Sequence, residues 1–360
     1  MKKHLLSALL LFVSPILLFA QGNTMVTIEG NMFYINGKPT YAGRTWQGNK
    51  IEGLLFNSRM VQGIFDDANP ETRPQFHYPD TDKWSAKRNT EEFVAAMPSW
   101  LAHGLLAFTL NLQGGSPIGY GNKDWRNSAF DEKGNHKKEY FKRLDKILKK
   151  ADKLGMVVIL GYFYFGQDQY LENETAVLNA VDATTEWILK KGYENILVEV
   201  NNECNVKYDH DILKPENVHK LITRIQDMAK SQNKQLLTGT SYGGGTIPKP
   251  NVVKVSDFIL IHGNGVKEPE KITAMVEQTK NVEGYRNQPI VFNEDDHYDF
   301  EKENNNMVAA TKAYASWGFF DFRRKDEPFE EGYQTVPVDW KIGSDRKKAF
   351  FNKVKEITGY

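Results

Sequence analysis

Apolar residues along this chain fall into two kinds of stretch. Short runs, almost without polar alternation, occur at 105–110, 156–162, 196–200, 235–240, 257–262, 290–293 and 316–322. Strands buried on both faces have this pattern, and parallel sheets are built of such strands. Upstream, residues 33–42 predict a hairpin turning at Asn36-Gly37 that leads into a first strand ending near Arg44. Between the runs lie amphipathic segments with helical spacing. One covers 89–102, with Asn89 as N-cap, Glu92 three residues on and Pro98 as a kink point. Others cover 137–154, stopped by Gly155, and 172–191, stopped by Gly192, then 215–231, 269–279, 304–314 and 344–357. Segment 241–256 holds Gly243-Gly244-Gly245 and several turn formers, and predicts a loop with no helix.

Strand then helix, repeated to a count of eight, is an α/β pattern, and the expected architecture is a (β/α)8 TIM barrel. No linker or low-complexity tract divides it, so residues 21–360 are expected to form one domain. Long connections at 46–88, 113–135 and 323–343 follow strands one, two and eight, which places them on the catalytic face of such a barrel. They carry Trp46, Trp84, Trp125, Tyr333 and Trp340. Five aromatics in rim loops predict a binding cleft that stacks on sugar rings.

Composition narrows the picture in three ways. The start, with Lys2 and Lys3, an apolar stretch from Leu5 to Phe19 and small Ala20, predicts a signal peptide over 1–20. The protein is therefore expected to be exported, either secreted or periplasmic, with no membrane anchor after cleavage. Lys plus Arg and Asp plus Glu both number 46, so no basic excess points to nucleic acid. The single cysteine, Cys204, excludes an internal disulfide and is expected to pack rather than react.

The chemistry concentrates in two stretches. Val198-Glu199-Val200-Asn201-Asn202-Glu203 and Pro289-Ile290-Val291-Phe292-Asn293-Glu294 are each an apolar run ending in Asn-Glu. Three β/α units apart, their final glutamates face each other across a barrel mouth. Paired carboxylates across a cleft are what glycosidic cleavage needs.

These motifs, with Phe33-Tyr34-Ile35-Asn36-Gly37-Lys38-Pro39, His103-Gly104-Leu105-Leu106 and Ile259-Leu260-Ile261-His262, resemble the retaining glycoside hydrolases of the clan that contains the family 5 cellulases. The resemblance implies a two-step displacement on an oligo- or polysaccharide, without cofactor or metal. Glu294 is then the nucleophile. Glu203 is the acid/base, with its carboxyl raised to hold a proton. Asn202 binds a hydroxyl beside the nucleophile, and Arg44 at the end of strand one keeps the nucleophile ionised. Asn111, Gln113, Tyr164, Tyr242, His262 and Trp46 are further expected at the mouth, with Trp317 as a sugar floor. Asp295 and Asp296 follow Glu294 directly, and either turned inward would contest its role.

Two other classes remain open at this level. A non-catalytic carbohydrate-binding barrel would keep the cleft and lack turnover. A metal-dependent barrel hydrolase would usually need a His-x-His pair on strand one, which Arg44-Thr45-Trp46 does not offer.

Overall fold

The computed structural model describes residues 23–120 and 123–360; the expected signal peptide lies outside them. Eight parallel strands are β1 (Asn57–Ser58), β2 (Ala107–Asn111), β3 (Val157–Tyr164), β4 (Ile196–Asn202), β5 (Leu237–Gly239), β6 (Ile259–His262), β7 (Ile290–Glu294) and β8 (Gly318–Phe319). Ladders join β2 to β3, β3 to β4, β4 to β5 and β6 to β7. β8 pairs with β1 and closes the ring. Single bridges, Arg59 with Thr109 and Val291 with Ser316, join β1 to β2 and β7 to β8. Between β5 and β6 the Asp257 amide donates to the Thr238 carbonyl at 3.0 Å. The expected (β/α)8 TIM barrel is the fold.

The helices are α1 (Ala86–Leu101), α2 (Lys138–Leu154), α3 (Glu174–Lys191), α4 (Val218–Ser231), α5 (Pro250–Val255), α6 (Pro269–Lys280), α7 (Asn306–Lys312) and α8 (Asp345–Thr358). Among the described residues, none is long and apolar enough to cross a membrane. Helix α1 begins earlier than expected, because Ser85 rather than Asn89 accepts the capping N–H. Asn89 is instead buried, donating to the Gln62 carbonyl and accepting from the Trp340 indole. The segment expected to lack a helix contains α5, started by Pro250, whose fixed φ and missing N–H suit a first turn.

The largest departure concerns strand one. The hairpin Val26–Glu29 with Met32–Ile35 is antiparallel and lies outside the barrel wall. It caps the barrel's N-terminal end: Val26 N donates to Glu194 O just before β4, and Tyr41 Oη donates to Gly104 O just before β2. The true β1 starts only at Asn57. Arg44 therefore sits at the opposite face from the chemistry, where Nε and Nη2 donate to the carbonyls of Ile357 and Glu356 at 2.9 and 2.8 Å. Trp46 is there too, its indole donating to Glu356. Neither residue can take the site role expected of it.

The rim aromatics also serve packing more than binding. Trp340 and Tyr333 are buried and stack on each other at 6.1 Å, against Trp100 and Phe93 of α1. Phe65, Phe76, Trp125 and Val336 form a small separate core beneath the loops, with Trp84 against it. Long loops need such a core because their few backbone hydrogen bonds cannot order them alone.

Candidate active site

Four strand ends converge on one buried cluster. Arg59 follows β1, Glu203 follows β4, His262 ends β6 and Glu294 ends β7. The side chains of Arg59 and His262 are fully buried, and those of Glu203 and Glu294 are 13 % and 5 % exposed. His262 Nδ1 lies 2.9 Å from Glu203 Oε1 and 3.6 Å from Glu294 Oε2. Arg59 Nε lies 2.9 Å from Glu294 Oε2. Asn264 Nδ2 donates to the other oxygen of Glu294 at 2.5 Å. One ligand atom from each of Glu203, His262 and Glu294 falls within 4.8 Å of the others.

Arg59 thus does what was expected of Arg44. Its position was missed because β1 is two polar residues long, Asn57-Ser58, and carries no apolar run. The signal that could have found it is the apolar stretch Leu54-Leu55-Phe56 immediately before.

The charges shift one another. Burial pushes the Glu294 carboxyl up, and it stays above the ordinary range although Arg59 and His262 pull it down. Burial also pushes Glu203 up, but the His262 hydrogen bond and the Arg59 charge more than offset it, leaving it below that range. Burial pulls the His262 imidazole down, yet Glu294 and Glu203 carry it above its usual value. This reverses the expectation that Glu203 itself is the raised group. The three groups therefore titrate as one interacting cluster, with His262 Nδ1 at hydrogen-bond distance from Glu203.

Glu203 has a second peculiarity: its φ is +51°. A non-glycine residue held in the left-handed region stores strain and persists only where its surroundings over-determine it. Ser241, just after β5, does so. Its hydroxyl accepts from the Glu203 amide at 2.9 Å and donates to Glu199 Oε1 at 2.5 Å. Glu199 is buried inside the barrel and also accepts from Asn293. Since Ser241 donates to Glu199, its lone pairs are turned to the Glu203 N–H. Neither Ser241 nor Glu199 was expected in a role. Tyr242 was expected instead, but the next residue along a strand faces the other way. Tyr242 is buried, with its hydroxyl against Cys204.

The other expected residues divide. Asn202 and Asn111 are buried at the strand ends, and no side-chain N or O of either has a protein partner. Tyr164 lies beside the cluster, its ring 5.8 Å from the Arg59 guanidinium and its hydroxyl on Ser116. Gln113 is consumed by the rim, donating to Ser128 and Gln167 and accepting from Tyr164 N. Trp317 is no sugar floor. It points away from the axis, donates to Asp295 at 3.0 Å and packs on Phe300 and on Phe350 of α8. At the same strand end Phe320 has the opposite parity and meets Tyr120 at the mouth.

Asp295 and Asp296 leave Glu294 uncontested. Asp295 accepts from Trp317, Asn306 and the His297 amide, all outside the pore. Asp296 is engaged by the Tyr120 hydroxyl and the Gly265 amide. Among the described residues, two groupings have metal-ligand spacing, Glu203-His262-Glu294 and Asp295-Asp296-His297. The first suits a cation poorly, because the Arg59 guanidinium already neutralises Glu294 and would repel an ion. In the second, Asp295 is held by neighbours.

No family model and no curated protein matches the chain. Solved structures do. A broad-specificity endoglucanase of glycoside hydrolase family 5 from Clostridium longisporum superposes with a TM-score of 0.55 at 10% identity, covering 84% of this chain and 97% of that one. A family 5 mannosidase mutant from Rhizomucor miehei, in complex with mannosyl-fructose, gives 0.56 at 12% identity, covering 93% and 98%. A family 5 glycoside hydrolase from Bacteroides vulgatus gives 0.54 at 13% identity, covering 89% and 68%. At such identities the likeness is one of fold.

Proposed function

We propose that this protein is a retaining glycosidase acting on an oligo- or polysaccharide. The observation that carries the reading is the convergence of Glu203 and Glu294, from β4 and β7, on His262 Nδ1, with an oxygen of each within 4.8 Å. An oxygen-to-oxygen gap that short is compatible with the carboxyl separation of about 5–5.5 Å that direct attack by one carboxylate uses, rather than the roughly 6.5–9.5 Å that seats a water in inverting enzymes.

Glu294 attacks the anomeric carbon. Arg59 and Asn264 fix both of its oxygens and favour the ionised form. Glu203 protonates the leaving oxygen. His262, 2.9 Å away, supplies that proton to Glu203 before the bond breaks, so Glu203 is left ionised once the leaving oxygen has taken it. After the leaving group has departed, the ionised Glu203 takes a proton from water, the hydroxide so formed displaces Glu294 from the sugar, and the proton passes back to His262. Asn202 and Asn111, buried without protein partners, offer amides to sugar hydroxyls. A hydrogen bond that tightens in the transition state lowers the barrier.

The test is trapping. A 2-fluoro glycosyl donor with a good leaving group should label one residue, found by peptide mass spectrometry, and that residue should be Glu294. Glu203→Ala should keep the initial burst of dinitrophenol from dinitrophenyl glycosides, whose leaving group needs no acid, while slow hydrolysis of the glycosyl-enzyme limits turnover, and should lose cleavage of natural linkages. A wild type that binds glycans yet neither labels nor turns over would favour the binding-barrel reading.

A further inference from the structure

The two sides of the mouth are built differently. Glu203 ends β4 and Glu294 ends β7, so a line from Glu203 through Glu294 continues toward β8, β1 and β2. The sugar attacked by Glu294 extends that way, and the leaving group extends over Glu203.

On the Glu294 side the rim loops are fastened to one another. Gln334, after β8, donates to the carbonyls of Gly115 and Ser116, after β2, at 2.8 and 3.1 Å. Val336 N donates to Pro117 O at 2.8 Å. Gln62, after β1, donates to Gly115 O at 2.8 Å. Tyr120 then gives its hydroxyl to Asp296, two residues beyond Glu294, and packs edge-on to Phe320 and Phe322 at 5.5 and 5.1 Å. Asp296 accepts from Gly265 N, after β6, at 3.1 Å. These contacts run from the loop after β6 through those after β7, β2, β8 and β1. Tyr120, fixed by its hydroxyl and one edge, is still 58 % exposed.

The Glu203 side is open. A groove of about 460 Å³ is lined there by Phe165, Tyr170, Val206 and Lys207, and the Val206 amide donates to the Glu203 carbonyl.

Resting on the glycosidase reading, we propose that the wall from Tyr120 to Val336 closes the glycone end of the site, and that the bare ring of Tyr120 stacks on the terminal sugar. The enzyme is then exo-acting. It accepts the non-reducing end of a glycan and releases a product of fixed short length, while the rest of the chain lies along the Phe165–Lys207 groove. Cleavage inside a polymer needs room for sugars on both sides of the pair, and a wall on one side denies it.

The test uses hexaoses of the glucan, mannan and xylan series labelled with a fluorophore at the reducing end. With the wild type, labelled products should shorten by a constant step from the first time point. Tyr120→Ala should let internal cuts rise about tenfold relative to terminal ones, whereas Tyr120→Phe, which keeps the ring, should lower kcat/KM two- to fivefold without changing the product ladder. A wild-type ladder that starts with cuts at several internal bonds would overturn exo action and leave the glycosidase reading intact. No turnover beyond that of Glu294→Gln on any substrate would overturn both.

Discussion

Arg44 and Arg59 lie fifteen positions apart and end on opposite faces of one barrel. Arg44 is fixed on two carbonyls at the end of α8, beside Trp46 on Glu356. Nearby, Thr24 and Asn23 are likewise tied to Asp152. At that face polar groups find partners, and what they achieve is cohesion. Arg59 is fully buried, held by one carboxylate, with Nη1 and Nη2 lacking protein partners. Around it Asn111, Asn202 and His262 Nε2 are also unpartnered and buried. Buried polar groups left so cost folding energy, and a chain keeps them where they do something else. The two faces thus separate stability from chemistry.

The sharpest way to break that contrast is Glu294→Gln. Activity should fall at least about a thousandfold, while the melting temperature drops only modestly, because Gln still offers Arg59 an acceptor although the buried guanidinium charge is left uncompensated. A large loss of both would place Glu294 in the scaffold. Next is the arginine pair. Arg59→Met should cut kcat about a hundredfold and move the acid limb of the pH profile upward, since the guanidinium no longer holds Glu294 ionised. Arg44→Met should leave kcat unchanged and lower stability by about 1–2 kcal/mol in urea titrations. Equal effects of the two substitutions on kcat would erase the distinction.

A smaller effect is expected from Ser241→Ala, which removes the acceptor for the strained Glu203 amide: about tenfold in kcat, with KM little changed. Glu199→Gln should weaken the same relay, and a kcat unchanged from wild type in both variants would show that Glu203 holds its backbone unaided. The pH profile of kcat/KM tests the charges. Glu294 must be ionised, so the rate falls as pH drops through its raised pKa, and the acid limb should lie above the ordinary glutamate value of about 4.3. The proton on His262 must be present, so the rate falls as pH rises through a value above about 6.5. An alkaline limb below that would remove His262 as proton store. The smallest effect is none at all: EDTA should leave turnover unchanged.

What was legible in the sequence follows from burial. Strands β2, β3, β4, β6 and β7 announce themselves as apolar runs because both of their faces are covered, and the glutamates at the ends of β4 and β7 came with them. Strand β1 did not, because Asn57-Ser58 faces a polar barrel interior, while the Asn36-Gly37 hairpin mimics a strand entry better than the real one. Parity errors explain two more misses. Trp317-Gly318-Phe319-Phe320 places aromatics on both faces of β8, and Ser241-Tyr242 offers a polar residue at each parity, so pattern alone cannot choose the inward one. The aromatic rim misled for a different reason: long loops need a core of their own, and Trp84 and Trp125 supply it.

The clasp of Arg44 on Glu356 and Ile357 has a kinetic meaning. It joins positions more than three hundred residues apart, and among the described residues β1 pairs with β2 and the late strand β8. Contacts so distant in the chain form late and slowly, because the intervening loop must first be closed. A chain still lacking β7 and β8 can stack β2 to β4, whose contacts are local, but cannot shut the ring or seat Arg59 against Glu294. The Arg59–Glu294 pair is therefore expected among the last parts of the barrel to become ordered.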